Sequence, residues 1–264
     1  MENSASSLPG LVLGSFVLRP YVFAFLVAFL IAAVRDLGAW RTALFGGWVW
    51  AIAFLAEVSS TRNGFPFGLY HYTEATRGTE LFLSNVPFFD SLSFVFLAYA
   101  AYALARASRV AVRLAPLSLL SGVLMMALDV VIDPLAVRGD RWFLGHIFWY
   151  AESGRYFGVP VSNFAGWWLV GTVGVGGYLL MERLFAPNPA RGTRPALGIG
   201  LYYGVLGFNL ATTAWIGEWS LVLAGSTLHI VLGIVLYRVA RGSGVLLSIA
   251  RAGAGSRTGS PSEA

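Results

Sequence analysis

Seven stretches of about 20 predominantly apolar residues follow one another along this chain, and they constrain its fold more than any other feature. A stretch of that length forms a helix that crosses the ~30 Å hydrocarbon core of a bilayer. The sequence therefore predicts an all-α fold, a polytopic transmembrane helical bundle with about seven spans, joined in part by two long structured outer loops, 61–85 and 133–160. The predicted spans are 16–34, 40–60, 86–105, 114–132, 161–181, 196–216 and 219–238.

Composition supports a membrane protein, since 57% of the residues are hydrophobic and only 12% are charged. A soluble domain carries about twice that charged fraction. We predict a single transmembrane domain over residues 1–240. Residues 241–264, rich in Gly, Ser, Ala and Arg, are predicted to form a disordered cytoplasmic tail. The glycine-rich runs 171–177 and 198–200 lie inside spans, where they favour close helix packing over nucleotide binding.

Cysteine and lysine are both absent from the chain. Without cysteine, disulfides, thiolate catalysis, iron–sulfur clusters and Cys-ligated zinc are excluded. Without lysine, a retinal-type Schiff base and a lysine nucleophile are excluded. The net charge of +5 does not indicate nucleic-acid binding, because Arg in the loops of a membrane protein mainly sets its orientation.

The distribution of charge predicts that orientation. One side of the bundle carries 12 Arg and 3 acids, a net charge of +9, and the other carries 6 Arg and 10 acids, a net charge of −4. By the positive-inside rule the C-terminus is cytoplasmic and the N-terminus lies outside. The expected location is the cell membrane, with both long loops facing outward.

Acidic residues near the ends of apolar spans are the strongest functional signal. Glu57 and Asp129 each lie 16 residues beyond an arginine, Arg41 and Arg113, that marks the inner end of a span. Both rise ~24 Å and share one level in the outer part of the bilayer. Asp133 lies one turn above Asp129 on the same helix face. A carboxylate in a membrane span is costly to bury, and it usually serves chemistry, transport or a specific ion pair.

Polar residues of neighbouring spans reach the same level, which indicates either a site or a satisfied polar plug. They are Asp90, Asn163, Trp167, Asn209, Thr212 and Thr213. The outer loops add aromatic residues that suit a lid over the bundle, although aromatic residues at span ends are often interface anchors. Aromatic walls suit a flat polyene, or a carbocation stabilised by ring faces.

Several of these residues also have purely structural interpretations. Glu57 can pair with Arg62, Asp133-Pro134 can end a helix, and Asn163 can cap the fifth span. The three histidines, His71, His146 and His229, lack the spacing of a metal site. We therefore predict no metal. A carboxylate-based metal site stays open as an alternative, formed by Glu57, Asp129, Asp133 and His71.

Three segments together resemble the membrane-integral carotenoid biosynthesis family, which includes carotenoid 1,2-hydratases and bisanhydrobacterioruberin hydratases. They are the run from Glu57 to Thr73 with Gly-Phe-Pro-Phe-Gly-Leu-Tyr-His-Tyr, the Asp129/Asp133-Pro134 pair, and Tyr156-Phe-Gly-Val-Pro with Asn163 and Gly166-Trp167. The resemblance covers about residues 50–170. It implies hydration of the terminal C1–C2 double bond of an acyclic carotenoid end, of lycopene or γ-carotene type, without a redox cofactor.

The residues suggest how such a reaction proceeds. A buried, neutral carboxylic acid protonates the alkene, and an ionised carboxylate directs water to the resulting tertiary cation. We assign Asp129 as proton donor and Glu57 or Asp133 as base. The predicted substrate-binding residues hold the water, shield the cation or line the pocket. They are Tyr70, His71, Tyr72, Trp149, Asn163 and Trp167.

The expected partners are an acyclic or monocyclic carotenoid, water, the lipid bilayer and other carotenoid-pathway enzymes, with no nucleic acid. Two kinds of alternative remain open. A carotenoid cyclase uses the same protonation but traps the cation with an internal double bond. A transporter for a small solute or proton, or a pigment-binding receptor, also places acids within a helical bundle.

Overall fold

The computed structural model describes residues 7–110, 113–185 and 195–255, with side chains described as far as residue 242. Within these ranges the chain is a helical bundle with four short strands, and it contains no barrel or large sheet. The helices are α1 Leu8–Leu18, α2 Pro20–Leu37, α3 Ala39–Asn63, α4 Phe88–Ser108, α5 Leu114–Ala136, α6 Val161–Phe185, α7 Ala196–Trp215 and α8 Trp219–Gly255. The strands are β1 Tyr70–Tyr72, β2 Phe82–Leu83, β3 Val86–Pro87 and β4 Phe148–Tyr150.

Six of the described helices are long and apolar enough to cross a membrane, namely α2 to α6 and α8. The predicted helical membrane fold is confirmed. The sixth predicted span, 196–216, forms the 20-residue helix α7, which is not among these six. The structure continues α8 past the predicted boundary at residue 241 to Gly255. Residues 256–264 lie outside the described residues, and the tail stays a prediction there.

The first predicted span is divided between two helices, which corrects its start. Proline lacks an amide hydrogen and suits the first turn of a helix, so Pro20 begins α2 after α1 has ended at Leu18. Between them Arg19 is buried and contacts Glu80 at 3.1 Å. Its guanidinium also donates a hydrogen bond to the carbonyl oxygen of Leu144 at 2.5 Å. This arginine therefore joins the start of the bundle to both long loops.

Both long loops fold over the same end of the bundle, which we call the loop end. Strands β1 and β4, one from each loop, pair antiparallel, with Tyr70 opposite Tyr150, His71 opposite Trp149, and Tyr72 opposite Phe148. Strands β2 and β3 form a second, shorter antiparallel pair. Because side chains alternate along a strand, the pairing directs one set of rings toward the helices and the other away from them.

Alanine and glycine allow the helices to approach closely. Helix α4 is the most buried of the six candidate spans. Between α5 and α6, a Cβ added at Gly122 would lie 2.5 Å from the carbonyl oxygen of Trp168. A Cβ at Gly177 would lie 2.5 Å from the ring of Trp48, and one at Gly198 would lie 2.4 Å from Ala103. Gly177 and Gly198 belong to the two glycine-rich runs, so the predicted packing role of those runs is confirmed at these two positions.

Ion pairs hold the opposite end of the bundle, which we call the arginine-rich end. Asp36 at the end of α2 pairs with Arg106 at the end of α4. Arg41 at the start of α3 contacts Glu182 of α6 at 3.0 Å. These charges lie at the ends of helices, where cations and anions are less costly than at the centre of a bilayer.

Candidate active site

At the loop end, one carboxyl pair is built from α3, β1 and α4. The buried Glu57 of α3 accepts a hydrogen bond at 3.0 Å from the hydroxyl of Tyr72 and a second, short one from the hydroxyl of Ser91. The same Tyr72 hydroxyl also makes a short hydrogen bond with Asp90, in the first turn of α4. We call this the Glu57–Asp90 pair. A single phenol oxygen therefore contacts two carboxyl groups.

A second carboxyl pair is built from α5, α6 and β4. The side-chain amide of Asn163 donates hydrogen bonds at 2.7 Å to one oxygen of Asp129 and to one oxygen of Asp133. The Asp129 oxygen and the Asp133 oxygen are therefore separated by no more than twice 2.7 Å. The hydroxyl of Tyr150 donates to the same Asp133 oxygen at 3.0 Å. We call this the Asp129–Asp133 pair.

The β1–β4 pairing places Tyr70 between the two carboxyl pairs. Its ring lies 5.4 Å from that of Tyr72 and 5.9 Å from that of Tyr150, with edge-to-face geometry in both contacts. Burial, and then the negative charge of nearby carboxylates, raises the pKa of all three phenols well above the usual value of tyrosine. The three hydroxyls therefore keep their protons and can donate hydrogen bonds to the acids.

Both pairs contribute to the wall of one cavity. Glu57, Asp90 and Asp133 supply its acidic groups, and most of the remaining wall is aromatic or aliphatic. On one side the rings of Phe94 and Trp167 are stacked 4.2 Å apart at an angle of 9°. The other aromatic residues of the wall are Tyr21, Phe25, Phe67, Tyr70, Tyr72, Phe89, Phe96, Trp142, Phe148, Tyr150 and Phe208.

The structure brings six of the predicted site residues to this cavity and places three elsewhere. The six in the wall are Glu57, Asp133, Tyr70, Tyr72, Asn163 and Trp167. Asp129 is fully buried behind the wall, and one of its carboxylate oxygens has no hydrogen-bond partner. His71 and Trp149 lie on the opposite face of the β1–β4 ladder, with ring centroids 4.9 Å apart, and Trp149 is 46% exposed. Substrate contacts by these last two residues stay a prediction.

Three structural interpretations of the sequence are wrong. Arg62 contacts Ser84 instead of Glu57. Helix α5 continues through Pro134 to Ala136, because a proline so close to the helix end removes only one backbone hydrogen bond. Asn163 lies inside α6, and its side chain bonds the two aspartates instead of capping the helix.

The sequence places Asp90 in the polar layer but gives it no catalytic or binding role, and it gives Ser91 and Tyr150 no role in the site. Ser91 carries no signal of its own. Tyr150 depends on the pairing of two distant loops, which no local pattern reveals. Within the described residues, no group of three or more acidic or histidine side chains is arranged to hold a metal ion. His71 in particular lies away from the carboxyl groups with which a metal site was considered.

Comparison with known proteins identifies the family. The chain matches the family described as carotenoid biosynthesis protein over residues 17–236. It is also 38% identical over 128 residues to the bisanhydrobacterioruberin hydratase of Haloarcula japonica. That alignment covers 45% of this chain and 38% of the hydratase, so the matched part is well under two thirds of the relative's length.

No solved structure matches the chain. The family match covers the helices and loops that form the cavity, together with both carboxyl pairs. The resemblance predicted from the three sequence segments is therefore confirmed, and this multi-pass membrane protein belongs to the carotenoid biosynthesis protein family.

Proposed function

We propose that this protein hydrates the terminal C1–C2 double bond of an acyclic carotenoid end, of lycopene or γ-carotene type, without a redox cofactor. The observation that carries the proposal is the placement of Glu57, Asp90 and Asp133 in the wall of one largely aromatic cavity. Such a cavity can admit a hydrocarbon end and present it with both an acid and a base. The similarity to a protein named as a hydratase supports the same reaction.

The Glu57–Asp90 pair is the proton donor in this proposal. A phenol has one proton, so Tyr72 can donate to only one of the two carboxyl groups that it contacts. The other contact is a hydrogen bond only when that carboxyl group is itself protonated and donates to the phenol oxygen. Two like charges held this close also disfavour double ionisation. The pair therefore holds a proton that it can transfer to an alkene.

Asp133 is the base. One of its oxygens accepts hydrogen bonds from both Asn163 and Tyr150, an arrangement that stabilises a carboxylate. Asp129, which the sequence favours as the donor, is separated from the cavity, and we assign it a positioning role through Asn163. This division of roles differs from the sequence-based one because exposure to the cavity, and not depth alone, decides which acid reaches the substrate.

The reaction balances without an external reagent. The donor transfers its proton to C2, which forms a C–H bond and leaves a tertiary cation at C1. The stacked rings of Phe94 and Trp167 line the same cavity and shield the cation. The oxygen of a water molecule bonds to C1, and Asp133 accepts the proton that the water loses. Return of that proton to the Glu57–Asp90 pair, past the hydroxyls around Tyr70, restores the site.

We further propose that the loop end faces the outside of the cell and that the C-terminus is cytoplasmic, as the arginine distribution indicates. The chain contains no cysteine, so single cysteines can report its orientation. A cysteine at the exposed Ser153 is expected to react with a membrane-impermeant maleimide in intact cells. A cysteine at Arg183 is expected to react only after the cells are permeabilised.

Expression in a bacterium that accumulates lycopene or γ-carotene tests the reaction. We expect a new pigment whose mass exceeds that of the substrate by one water and whose absorption maximum is unchanged, because the conjugated system is not altered. A cyclase would give a product of unchanged mass. Absence of any new pigment, with the protein present in the membrane, would contradict the proposal.

A further inference from the structure

The cavity extends well away from the carboxyl groups, along α2, α4 and α7. On α4 it reaches Leu97, nine residues from the start of the helix at Phe88, which is a depth of about 14 Å. On α7 it reaches Val205, ten residues from the last residue, Trp215, a depth of about 15 Å. The cavity thus ends near the middle of a ~30 Å hydrocarbon core. It can enclose the end of a carotenoid, but the conjugated chain behind that end is longer and must leave the bundle.

The seam between α2 and α7 differs from two other walls of the cavity. Hydrogen bonds close the wall between α3 and α4 and the wall between α5 and α6, where carboxyl groups bond Ser91 and Asn163. Among the described residues, no hydrogen bond or ion pair joins the halves of α2 and α7 that lie toward the loop end. Those halves meet through aromatic rings.

Phe208 is the centre of these aromatic contacts. Its ring is stacked on that of Tyr21, with centroids 5.3 Å apart, and lies edge-to-face with that of Phe25 at 5.6 Å. All three residues line the cavity, and none of the three is fully buried. They therefore form a partition one side chain thick between the cavity and the lipid side of the bundle.

The surface of α7 beside Phe208 is open. A Cβ added at Gly204 or Gly207, on the same helix, would meet no atom within 4 Å. Above the seam Phe143 is 52% exposed, and its ring lies 5.6 Å from Tyr21 and 6.3 Å from Phe208. A polyene that passes here meets mainly ring faces, and the hydroxyl of Tyr21 is the polar group among the three seam side chains.

We propose that the α2–α7 seam is a lateral portal through which the conjugated chain of the carotenoid passes between the bilayer and the cavity, and that Phe208 is its gate. This inference rests on the proposed function, because it takes a carotenoid as the occupant. It adds the path and the orientation of the substrate, with the reacting end near the carboxyl pairs and the chain leaving between two helices. The loop end is closed to such a chain by the β1–β4 ladder and by the buried ion pair of Arg19 and Glu80.

A reversible cross-link across the seam tests the portal. In the full chain, which has no native cysteine, Phe25→Cys and Phe208→Cys are combined and joined by a short thiol-specific bifunctional reagent with a reducible linker. Mass spectrometry confirms the linkage. Carotenoid is supplied from lipid vesicles, and both hydration and quenching of the protein's tryptophan fluorescence are followed. The chain contains nine tryptophans, so carotenoid binding has its own readout, independent of catalysis.

We expect the cross-link to lower the rate of carotenoid association at least about tenfold, and reduction of the linker to restore it. Equal association rates in the linked and reduced protein would overturn the portal. If the reduced protein binds carotenoid but the wild type forms no hydrated product, the proposed reaction fails while the portal stands.

A larger side chain at position 208 tests the gate without a cross-link. Phe208→Trp is expected to slow association and hydration together, whereas Tyr203→Trp, on the same helix at a position 48% exposed and outside the cavity wall, leaves both unchanged. Equal behaviour of the two variants would contradict the assignment of Phe208 as the gate.

Discussion

The hydroxyl of Tyr72 offers the sharpest test of how the acid is made, because it hydrogen-bonds both members of the Glu57–Asp90 pair. Tyr72→Phe removes this atom and retains the ring, whose edge-to-face contacts with Tyr70 and Phe148 have centroid distances of 5.4 Å and 6.4 Å. The variant should therefore fold. It leaves two buried carboxyl groups short of a partner, at a cost of about 1–3 kcal/mol in the free energy of unfolding.

The effect on the reaction should be much larger than the effect on stability. A correctly placed general acid contributes about 10²- to 10⁴-fold to a rate, or roughly 3–5 kcal/mol of the barrier. We expect the hydration rate of Tyr72→Phe to fall by that factor. The assay follows hydrated pigment per unit of protein in vesicles, and thermal unfolding of the same preparation measures stability.

Tyr202→Phe is the matched control. Tyr202 is 1% exposed and donates one hydrogen bond, at 3.0 Å, to the carbonyl oxygen of Leu124, away from the acids. Its loss should cost a similar free energy of unfolding and leave the hydration rate nearly unchanged. If Tyr72→Phe turns over within about threefold of this control, the shared proton has no role in the reaction and the assignment of the donor is refuted.

Three further predictions concern the base, the loops and the helix packing. Asp133→Asn is expected to lower the hydration rate by about 10²- to 10⁴-fold while the protein remains folded, and near-normal product would remove Asp133 from the role of base. Arg19→Met leaves Glu80 buried without its cation, so thermal unfolding should show a loss of about 3–5 kcal/mol, and an unchanged unfolding temperature would contradict the importance of this pair. Gly166→Ala places a Cβ 2.5 Å from the ring of Phe67 and should lower the free energy of unfolding by about 1–3 kcal/mol. Gly200→Ala meets no atom within 4 Å and should leave the stability unchanged. Equal effects of the two substitutions would refute the close approach of the loop to α6.

Much of the bundle could be predicted from the sequence because a bilayer leaves the chain few choices. Apolar stretches of span length must form helices, and counting along α3 and α5 from their arginines places Glu57 and Asp129 at one level. The convergence of Asp90, Asn163 and Asn209 follows from the alternating directions of the spans. The structure brings the side chains of all three to the wall of the same cavity as Glu57.

What the sequence could not predict depends on helix rotation and on contacts between distant segments. Asp129 and Asp133 share one helix face, but only Asp133 reaches the cavity, because one turn of height decides which carboxyl group meets the open space. The Tyr72 bridge and the Tyr150 hydrogen bond arise from pairing of two loops almost eighty residues apart in the chain, and no local signal specifies that register. The first span is divided between α1 and α2 at Arg19, which is buried against Glu80. That partner lies in a distant loop, and the local sequence does not indicate it.

The fate of the oxygen and hydrogen atoms tests the account most directly. When wild-type protein in vesicles converts an acyclic carotenoid in water enriched in ¹⁸O and deuterium, the product should carry one ¹⁸O in a tertiary hydroxyl at C1 and one deuterium at C2. Mass spectrometry of the purified pigment measures both labels. A product with no solvent oxygen, or with the mass of the starting carotenoid and a closed ring, would contradict hydration at this site.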